Sequence, residues 1–379
     1  MWESSRLLAL MGLVLSGALS ACGGDKPAPS KAGGGSAGTG GSSSSAGAGT
    51  HAGAATAGGA GAGGGSDAGS GGEPLGGGGE GGAGETGCQI LKDGETGARG
   101  LTRVYETPNL GSAIFPVGLE GDKVYFQNDG KLWAYPVAGG TASEVGALYA
   151  DHRIVKGTTL YAVSALDTDP TRHIFSAPLG DLTATATLAE GIDNPFYFIA
   201  DDTHFYYDHR SEYAIFQVPI GGGTPSTLVP GARPAGLLSR GGYLYWVDFG
   251  GYLERVPVSG GPREELVPSS DGGAMVADAS SLYWINTTAG SIERYDTGAT
   301  ESQRLFESDD FFAWPEQLAL AGDTLFSLLG PECGQVLQLK TDGTEEVVLT
   351  RGIRGAKWLG VTDAALFIVG DDGLYRADR

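Results

Sequence analysis

The second part of the chain alternates between short apolar runs and turns rich in Gly, Asp and Ser. The best-formed run is Tyr243–Asp248, in which Leu, Tyr, Trp and Val occupy consecutive positions. A strand that is apolar at consecutive positions needs cover on both of its faces. No stretch after residue 88 shows the 3.6-residue apolar period of a long helix. We therefore predict an all-β domain whose central strands lie between packed sheets.

One unit of this pattern recurs seven times. Each copy has a first strand such as Ala235–Leu238 or Gln317–Leu320, a second strand with an aromatic anchor, a third strand, and a short outer strand such as Ser226–Val229. The anchors lie 36 to 45 residues apart, the length of a four-stranded propeller blade. They are Tyr125, Tyr161, Tyr206, Tyr245, Tyr283, Phe326 and Phe367. The pattern predicts a seven-bladed β-propeller, and six or eight blades fit it less well.

The last copy contains only three strands before the chain reaches Arg379. Its predicted strands are Trp358–Val361, Leu366–Val369 and Leu374–Arg376. A fourth strand is available at the other end of the domain, because Thr102–Glu106 precedes the first complete copy. We predict that the domain spans residues 88–379 and that 102–106 closes the ring by pairing with the last blade.

Two copies carry a more specific signature. Leu244–Asp248 and Leu282–Asn286 are each followed by a Leu-Glu-Arg or Ile-Glu-Arg strand. These segments resemble the Tyr-Trp-Thr-Asp repeat of propellers of the low-density lipoprotein receptor type. That family has six blades, whereas this sequence has seven copies. The resemblance implies propeller architecture, a tendency to bind ligands, and structural turn roles for Asp248 and Asn286.

The amino terminus has the features of an export signal followed by a tether. The apolar run Leu7–Leu19 is short for a membrane span, and Leu19–Cys22 resembles a bacterial lipobox. We interpret residues 1–21 as a lipoprotein signal peptide and Cys22 as the lipidated residue; an ordinary secretory signal is the alternative. Residues 22–87 are mostly Gly, Ala and Ser, a composition typical of a disordered tether. The predicted location is the bacterial cell envelope, anchored by lipid, with the outer membrane favoured.

The cysteines and the net charge indicate the redox environment of the domain and exclude some classes of partner. Outside the cytoplasm, Cys88 and Cys333 are candidates for a disulfide, with two free thiols as the alternative. The net charge is −21 at pH 7. Such a surface repels nucleic acid and anionic lipid. We therefore expect membrane attachment through the lipid alone, an unidentified protein or glycan as ligand, and no nucleic-acid partner.

Catalytic and metal motifs are scarce. The sequence contains neither His-Glu-x-x-His nor Cys-x-x-Cys. His204 and His209 would point to opposite faces of one strand, roughly 16 Å apart, so they cannot share a metal. We predict no catalytic residues, no metal site and no cofactor. Calcium at acidic pairs such as Asp309 and Asp310 is the weaker alternative.

The geometry of a propeller supplies the candidate site instead. In this fold, the connections into the first strands open at one mouth of the central channel. Counting back about ten residues from the anchors selects a mixed set of aromatic, charged and His side chains at this mouth. They are Phe115, Asp151, His152, Phe196, Tyr197, Arg233, Trp314, Glu316, Lys357 and Trp358. Aromatic planes beside carboxylates suit a glycan, a peptide or a small polar ligand; the competing interpretation is that Phe196, Trp314 and Trp358 only pack between blades.

The sequence therefore favours a surface-tethered lipoprotein whose propeller is a non-catalytic binding or protein-interaction module. The first alternative is an extracytoplasmic propeller enzyme, a polysaccharide lyase or a lactone hydrolase, with calcium dependence as an option for either. An enzyme would need two or more His or carboxylate side chains at one mouth of the channel. The second alternative is a scaffold of an envelope assembly, which would need a large exposed apolar patch.

Overall fold

The structure is a computed structural model that describes residues 101–379 except 109–112, 167–168, 194, 210, 250, 270, 311–312, 331–333 and 351. The predicted signal peptide, the tether, and the three cysteines Cys22, Cys88 and Cys333 lie outside the described residues. Within the described part, no helix has the length and apolar character that a membrane crossing requires.

Strands β1 to β28 of the described residues form seven four-stranded antiparallel sheets, here called blades. Blade 1 contains β2 (Ile114–Glu120), β3 (Lys123–Asn128), β4 (Lys131–Pro136) and β5 (Ser143–Ala147). Blade 2 contains β6 (His152–Lys156), β7 (Thr159–Leu166), β8 (Asp169–Pro178) and β9 (Ala186–Ile192). Blade 3 contains β10 (Phe198–Ala200), β11 (His204–His209), β12 (Ala214–Pro219) and β13 (Ser226–Pro230).

The remaining blades follow the same order. Blade 4 contains β14 (Leu238–Arg240), β15 (Tyr243–Asp248), β16 (Tyr252–Pro257) and β17 (Glu264–Pro268). Blade 5 contains β18 (Met275–Ala277), β19 (Ser281–Asn286), β20 (Ser291–Asp296) and β21 (Gln303–Glu307). Blade 6 contains β22 (Pro315–Ala321), β23 (Thr324–Leu329), β24 (Gln335–Lys340) and β25 (Val347–Thr350). Blade 7 contains β26 (Trp358–Val361), β27 (Ala365–Val369), β28 (Gly373–Asp378) and β1 (Thr102–Glu106).

The first strands of the seven blades form a closed ring. Each first strand contacts the first strands of the two neighbouring blades, and the cycle returns from β26 to β2. These first strands are therefore the inner strands of a seven-bladed β-propeller, and the predicted fold class is confirmed. The predicted inner strand Ala235–Leu238 was misplaced, because β14 begins only at Leu238. Gly236 has φ +99°, and a Cβ there would lie 2.1 Å from the carbonyl oxygen of Gly273, so this segment is bent against blade 5.

The core lies between adjacent blades. In β15, Leu244 and Trp246 pack with Tyr206 of blade 3, whereas Tyr245 and Val247 pack with residues of blade 5. Successive side chains of a strand point to opposite faces. Each second strand is therefore covered by a neighbour on both sides, as its unbroken apolar run predicts.

Buried charge inside two blades is balanced across neighbouring strands. Glu254 lies opposite Trp246 in the β15–β16 ladder and is 1% exposed. Arg263 hydrogen-bonds the Glu254 carboxylate, and its guanidinium lies 5.8 Å from the Trp246 ring centroid. In blade 5, Arg304 is 3.0 Å from the buried carboxylate of Glu293. These pairs compensate charges whose burial alone would be costly.

The ring is closed by β1, which comes from the start of the described chain. This strand pairs antiparallel with β28, in the register Thr102 to Arg376 and Glu106 to Gly373. The Tyr105 ring reaches blade 1, where it lies 4.7 Å from the Phe126 ring and donates a 3.0 Å hydrogen bond to Asn128 Oδ1. The closing strand therefore completes blade 7 and also fastens it to blade 1.

We predict that Gly373→Ala weakens this closure. A Cβ at position 373 would lie 2.1 Å from the carbonyl oxygen of Tyr105, so β1 and β28 would have to separate. Forced overpacking of this kind costs about 1–3 kcal/mol. Urea unfolding of the domain should show a lower midpoint by the corresponding amount. Gly180→Ala is the matched control, because a Cβ there has no heavy atom within 4 Å; equal stability of the two variants would contradict the prediction.

Candidate functional site

Every inner strand begins on the same side of the ring, where each second strand ends. We call this side the upper face; it carries the connections into the inner strands and the turns between second and third strands. Carboxylates at the ends of second strands hold these connections. Asp208 Oδ1 accepts hydrogen bonds of 2.7 Å from the backbone N–H groups of Phe196 and Tyr197. Asp248 Oδ2 accepts one of 2.9 Å from the N–H of Arg233, which supports the structural role predicted for Asp248.

The inner strands of blades 7, 1 and 2 meet around one aromatic ring. Phe115, at the start of β2, is 36% exposed. Its ring centroid lies 5.5 Å from the guanidinium carbon of Arg153 in β6 and 5.6 Å from Nζ of Lys357, which precedes β26. Cations near an aromatic face are attracted by the ring quadrupole. Phe115 and Lys357, both predicted for the mouth, are thus brought together, and Arg153 is a neighbour that the sequence did not indicate.

The other predicted polar residues of blades 2 and 3 contact neighbouring segments of the upper face. Asp151 accepts a 2.8 Å hydrogen bond from Nε of Arg172. Burial lowers the pKa of His152, whose ring hydrogen-bonds the backbone of Pro195 in the connection to blade 3. Burial, with a smaller contribution from the carboxylate of Asp208, raises the pKa of Tyr197 to about 12. His152 and Tyr197 therefore remain uncharged at neutral pH.

Glu316 occupies an unusual position in the inner strand of blade 6. The register of β22 against β23 shifts between Pro315 and Gln317, so Glu316 is the extra residue of a β-bulge. Bulges re-aim side chains and are common beside functional sites. Burial raises the pKa of the Glu316 carboxyl to about 7. Glu316 is therefore a group that changes charge within the physiological pH range.

The two predicted Trp residues lie against backbone glycines. A Cβ at Gly290 would be 2.5 Å from Nε1 of Trp314, and a Cβ at Gly360 would be 2.2 Å from the Trp358 ring. Trp358 also packs against the hydrophobic cluster shared by blades 7 and 1. These contacts fit the alternative in which both rings mainly pack the blades.

Exposed aromatic side chains were largely missed by the sequence reasoning. All of the large aromatic side chains that are exposed in the described residues lie on the upper face, in blades 1 to 4 and their connections. They are Phe115, Tyr149, Phe196, Tyr213, Phe249 and Tyr252. The most exposed are Tyr149 at 75%, Tyr213 at 59% and Phe249 at 57%. The sequence does hold a signal for these residues: an aromatic residue inside a predicted turn, as at Tyr213 or Phe249, indicates an exposed ring.

A separate cavity of about 340 Å³ lies between blades 6 and 7 at the opposite end of the strands. Its lining includes Lys340, Arg379, Asp363 and Thr350. The Nζ of Lys340 is held 3.0 Å from both carboxylate oxygens of Asp323. This cavity does not include residues of the predicted mouth.

The described residues contain no group of three or more His, Cys, Asp or Glu side chains that could hold a metal ion. Asp309 and Asp310, the acidic pair of the calcium alternative, are therefore not part of such a group.

Comparisons with known proteins show the fold and no family. No family model matches the chain, and no curated protein matches it. Among solved structures, streptogramin B lyase is similar with a TM-score of 0.57 and 13% identity, covering 73% of this chain and 97% of that chain. The computationally designed Ika8 protein is similar with a TM-score of 0.52 and 10% identity, covering 73% of this chain and 99% of that chain. At these identities the similarity concerns architecture.

We predict that Glu316 makes stability depend on pH. Its carboxyl ionises near its ordinary pKa of 4.5 in the unfolded chain but near 7 in the folded chain. Stability present below pH 4.5 is therefore lost as the pH rises through 7. Glu316→Gln removes this loss, so the variant should match the wild type at pH 4.5 and exceed it by on the order of 3 kcal/mol at pH 8.

Urea unfolding at both pH values measures this difference. Glu301→Gln, a change of an exposed loop residue, controls for the loss of one negative charge. A Glu316→Gln variant whose advantage is the same at pH 4.5 and pH 8 would show that the carboxyl is not desolvated.

Proposed function

We propose that this protein is a binding module of the bacterial cell envelope and that its upper face receives a glycan or protein ligand. One observation carries the proposal: the exposed large aromatic side chains of the described residues share this face. Among the described residues, the other exposed large hydrophobic side chains are Val347 and Val348, which lie in the outer strand β25. Aromatic residues with one free face and polar neighbours are typical of ligand-binding surfaces.

The anchoring part of the proposal rests on the sequence. Residues 1–21 have the pattern of a signal peptide, Leu19–Cys22 resembles a lipobox, and a Gly-rich segment separates Cys22 from the propeller. A lipid on Cys22 would hold the module at a membrane, while the segment 22–87 would let it reach ligands away from the surface. The net charge of −21 agrees with a soluble domain that does not bind anionic lipid through its own surface.

Catalysis is the second candidate, favoured by the bulged carboxyl of Glu316 and its pKa of about 7. A general acid or base needs a pKa near the working pH. Acid–base catalysis would also need a second titratable side chain close to Glu316. His152 is at the mouth too, but it belongs to blade 2, which is three blades away from blade 6 around the ring. Binding therefore agrees better with the observed arrangement.

Loss of exposed aromatic side chains should weaken ligand binding without unfolding the domain. We expect the double variant Tyr213→Asn, Phe249→Ser to lose roughly tenfold or more in ligand affinity, as removal of aromatic anchors from a binding surface does. Asn suits position 213, where φ is +49°. A glycan array, followed by biolayer interferometry with the captured ligand, measures the change. Val347→Ser, Val348→Ser is the matched control on the outer strand; if it weakens binding as much, the upper face is not the binding surface.

Lipidation is tested in the full chain. Expressed in a bacterium supplied with labelled palmitate, the wild type should incorporate label and sediment with membranes. Cys22→Ser should incorporate none and should accumulate with its signal peptide attached. Labelling of Cys22→Ser equal to that of the wild type would refute an anchor at this position.

A further inference from the structure

The Phe115 ring brings two cations of neighbouring blades to one place on the upper face. Arg153 belongs to the inner strand of blade 2, and Lys357 precedes the inner strand of blade 7. Both charges lie within 6 Å of the ring centroid, at 5.5 and 5.6 Å. Three successive blades thus contribute to one small surface that is cationic and aromatic. Its position is set by the propeller itself, because each residue lies at the start of an inner strand.

The Arg153 guanidinium is only partly satisfied by the protein. It donates one hydrogen bond to the carbonyl oxygen of Ala150. Its Nε is buried and has no hydrogen-bond partner among the described residues. Burial also lowers the pKa of Arg153 to about 10, although the side chain stays charged at neutral pH. Because this Nε is enclosed, a ligand carboxylate would have to accept from the terminal N–H groups of the guanidinium, in the plane of the group.

The charges around Phe115 do not cancel. Arg172 is paired with Asp151 at 2.8 Å, and Lys357 lies 3.3 Å from Asp371. The Asp151 carboxylate, which is held by Arg172, also attracts Arg153. Arg153, Arg172 and Lys357 thus carry three positive charges against the two negative charges of Asp151 and Asp371. The whole chain has a net charge of −21, so the positive excess of these five side chains around Phe115 is a local departure. Such a site attracts a singly charged group, while the surrounding negative field repels densely charged polyanions.

We infer that Phe115, Arg153 and Lys357 form a carboxylate-binding subsite for an acidic saccharide. This inference rests on the proposed function and names the ligand class of the same face. A planar carboxylate matches the guanidinium fork, and the exposed part of Phe115 offers a flat apolar surface to the sugar ring beside it.

A chain of sugar rings fits the wider surface as well. Tyr149 is 75% exposed and lies in the connection that leads into β6, the strand of Arg153. Phe196 lies in the next connection around the ring and is 41% exposed. A saccharide held at Arg153 would therefore find further aromatic surface along the upper face. An acidic peptide shares the carboxylate but does not need this succession of exposed rings, so we treat it as the competing ligand.

The test is an array of uronate and sialate saccharides placed beside their methyl esters, which keep the rings and lose the charge. The wild-type protein should bind the acids roughly ten- to a hundredfold more tightly than the esters. Arg153→Gln and Lys357→Gln should remove this preference, and Arg153→Lys should restore part of it. Lys123→Gln, an exposed residue at the start of β3 on the opposite face, should change nothing.

Other outcomes separate this inference from the proposed function. Equal affinity for acids and esters, or no binding of the acids, overturns the carboxylate subsite. If the wild type still binds neutral glycans and the double variant Tyr213→Asn, Phe249→Ser does not, the proposed binding module stands without the carboxylate subsite. Preference for a polyglutamate peptide over every saccharide overturns the saccharide assignment. If no saccharide or peptide binds and the aromatic variant behaves as wild type in envelope pull-downs, both proposals fall. Equal melting temperatures of Lys357→Gln and the wild type exclude unfolding as the cause.

Discussion

The structure depends on the two-sided burial of the second strand in every blade. Side chains such as Trp246 and Tyr245 are adjacent in sequence, yet they pack against blades 3 and 5 respectively. A single four-stranded sheet could cover only one of these faces by folding back on itself. Each blade therefore requires a neighbour on both sides, and a row of blades meets that requirement for all members only when it closes. The closed ring therefore follows from seven apolar second strands, each of which must be covered on both faces.

Much of this architecture could be predicted because its causes are local. The inner strand Trp358–Val361 was predicted with the bounds that the structure gives it, and Thr102–Glu106 is present as a strand with its predicted bounds. The inner strand of blade 4 could not be placed in the same way. Its shift comes from the close approach of Gly236 to Gly273 of the next blade, which is a contact between segments far apart in the pattern. Periodicity records which residues a strand buries but not where the backbone of a neighbour forces it to bend.

The candidate site was predictable in outline and not in its contacts. Counting back from the anchors selected Phe115 and Lys357, because the start of each inner strand is fixed by blade length. Arg153 was not selected, since its position follows from the meeting of blades 1 and 2 rather than from spacing within blade 2. The bulge at Glu316 is likewise invisible in the apolar pattern. Charge and desolvation at this mouth arise from the packing of neighbouring blades, and they determine what kind of ligand it can accept.

The closing strand also determines how the domain responds to mechanical load. Residues 1–100 precede β1 directly, so a pull transmitted through them enters the propeller at the seam between β1 and β28. Six blades are each built from one continuous segment, whereas blade 7 alone combines the two ends of the described chain. Tension on β1 would act directly on this blade, and the departure of Tyr105 would uncover part of blade 1. A force on the amino-terminal end would thus act on one defined strand, whereas each of the other six blades draws its four strands from a single segment.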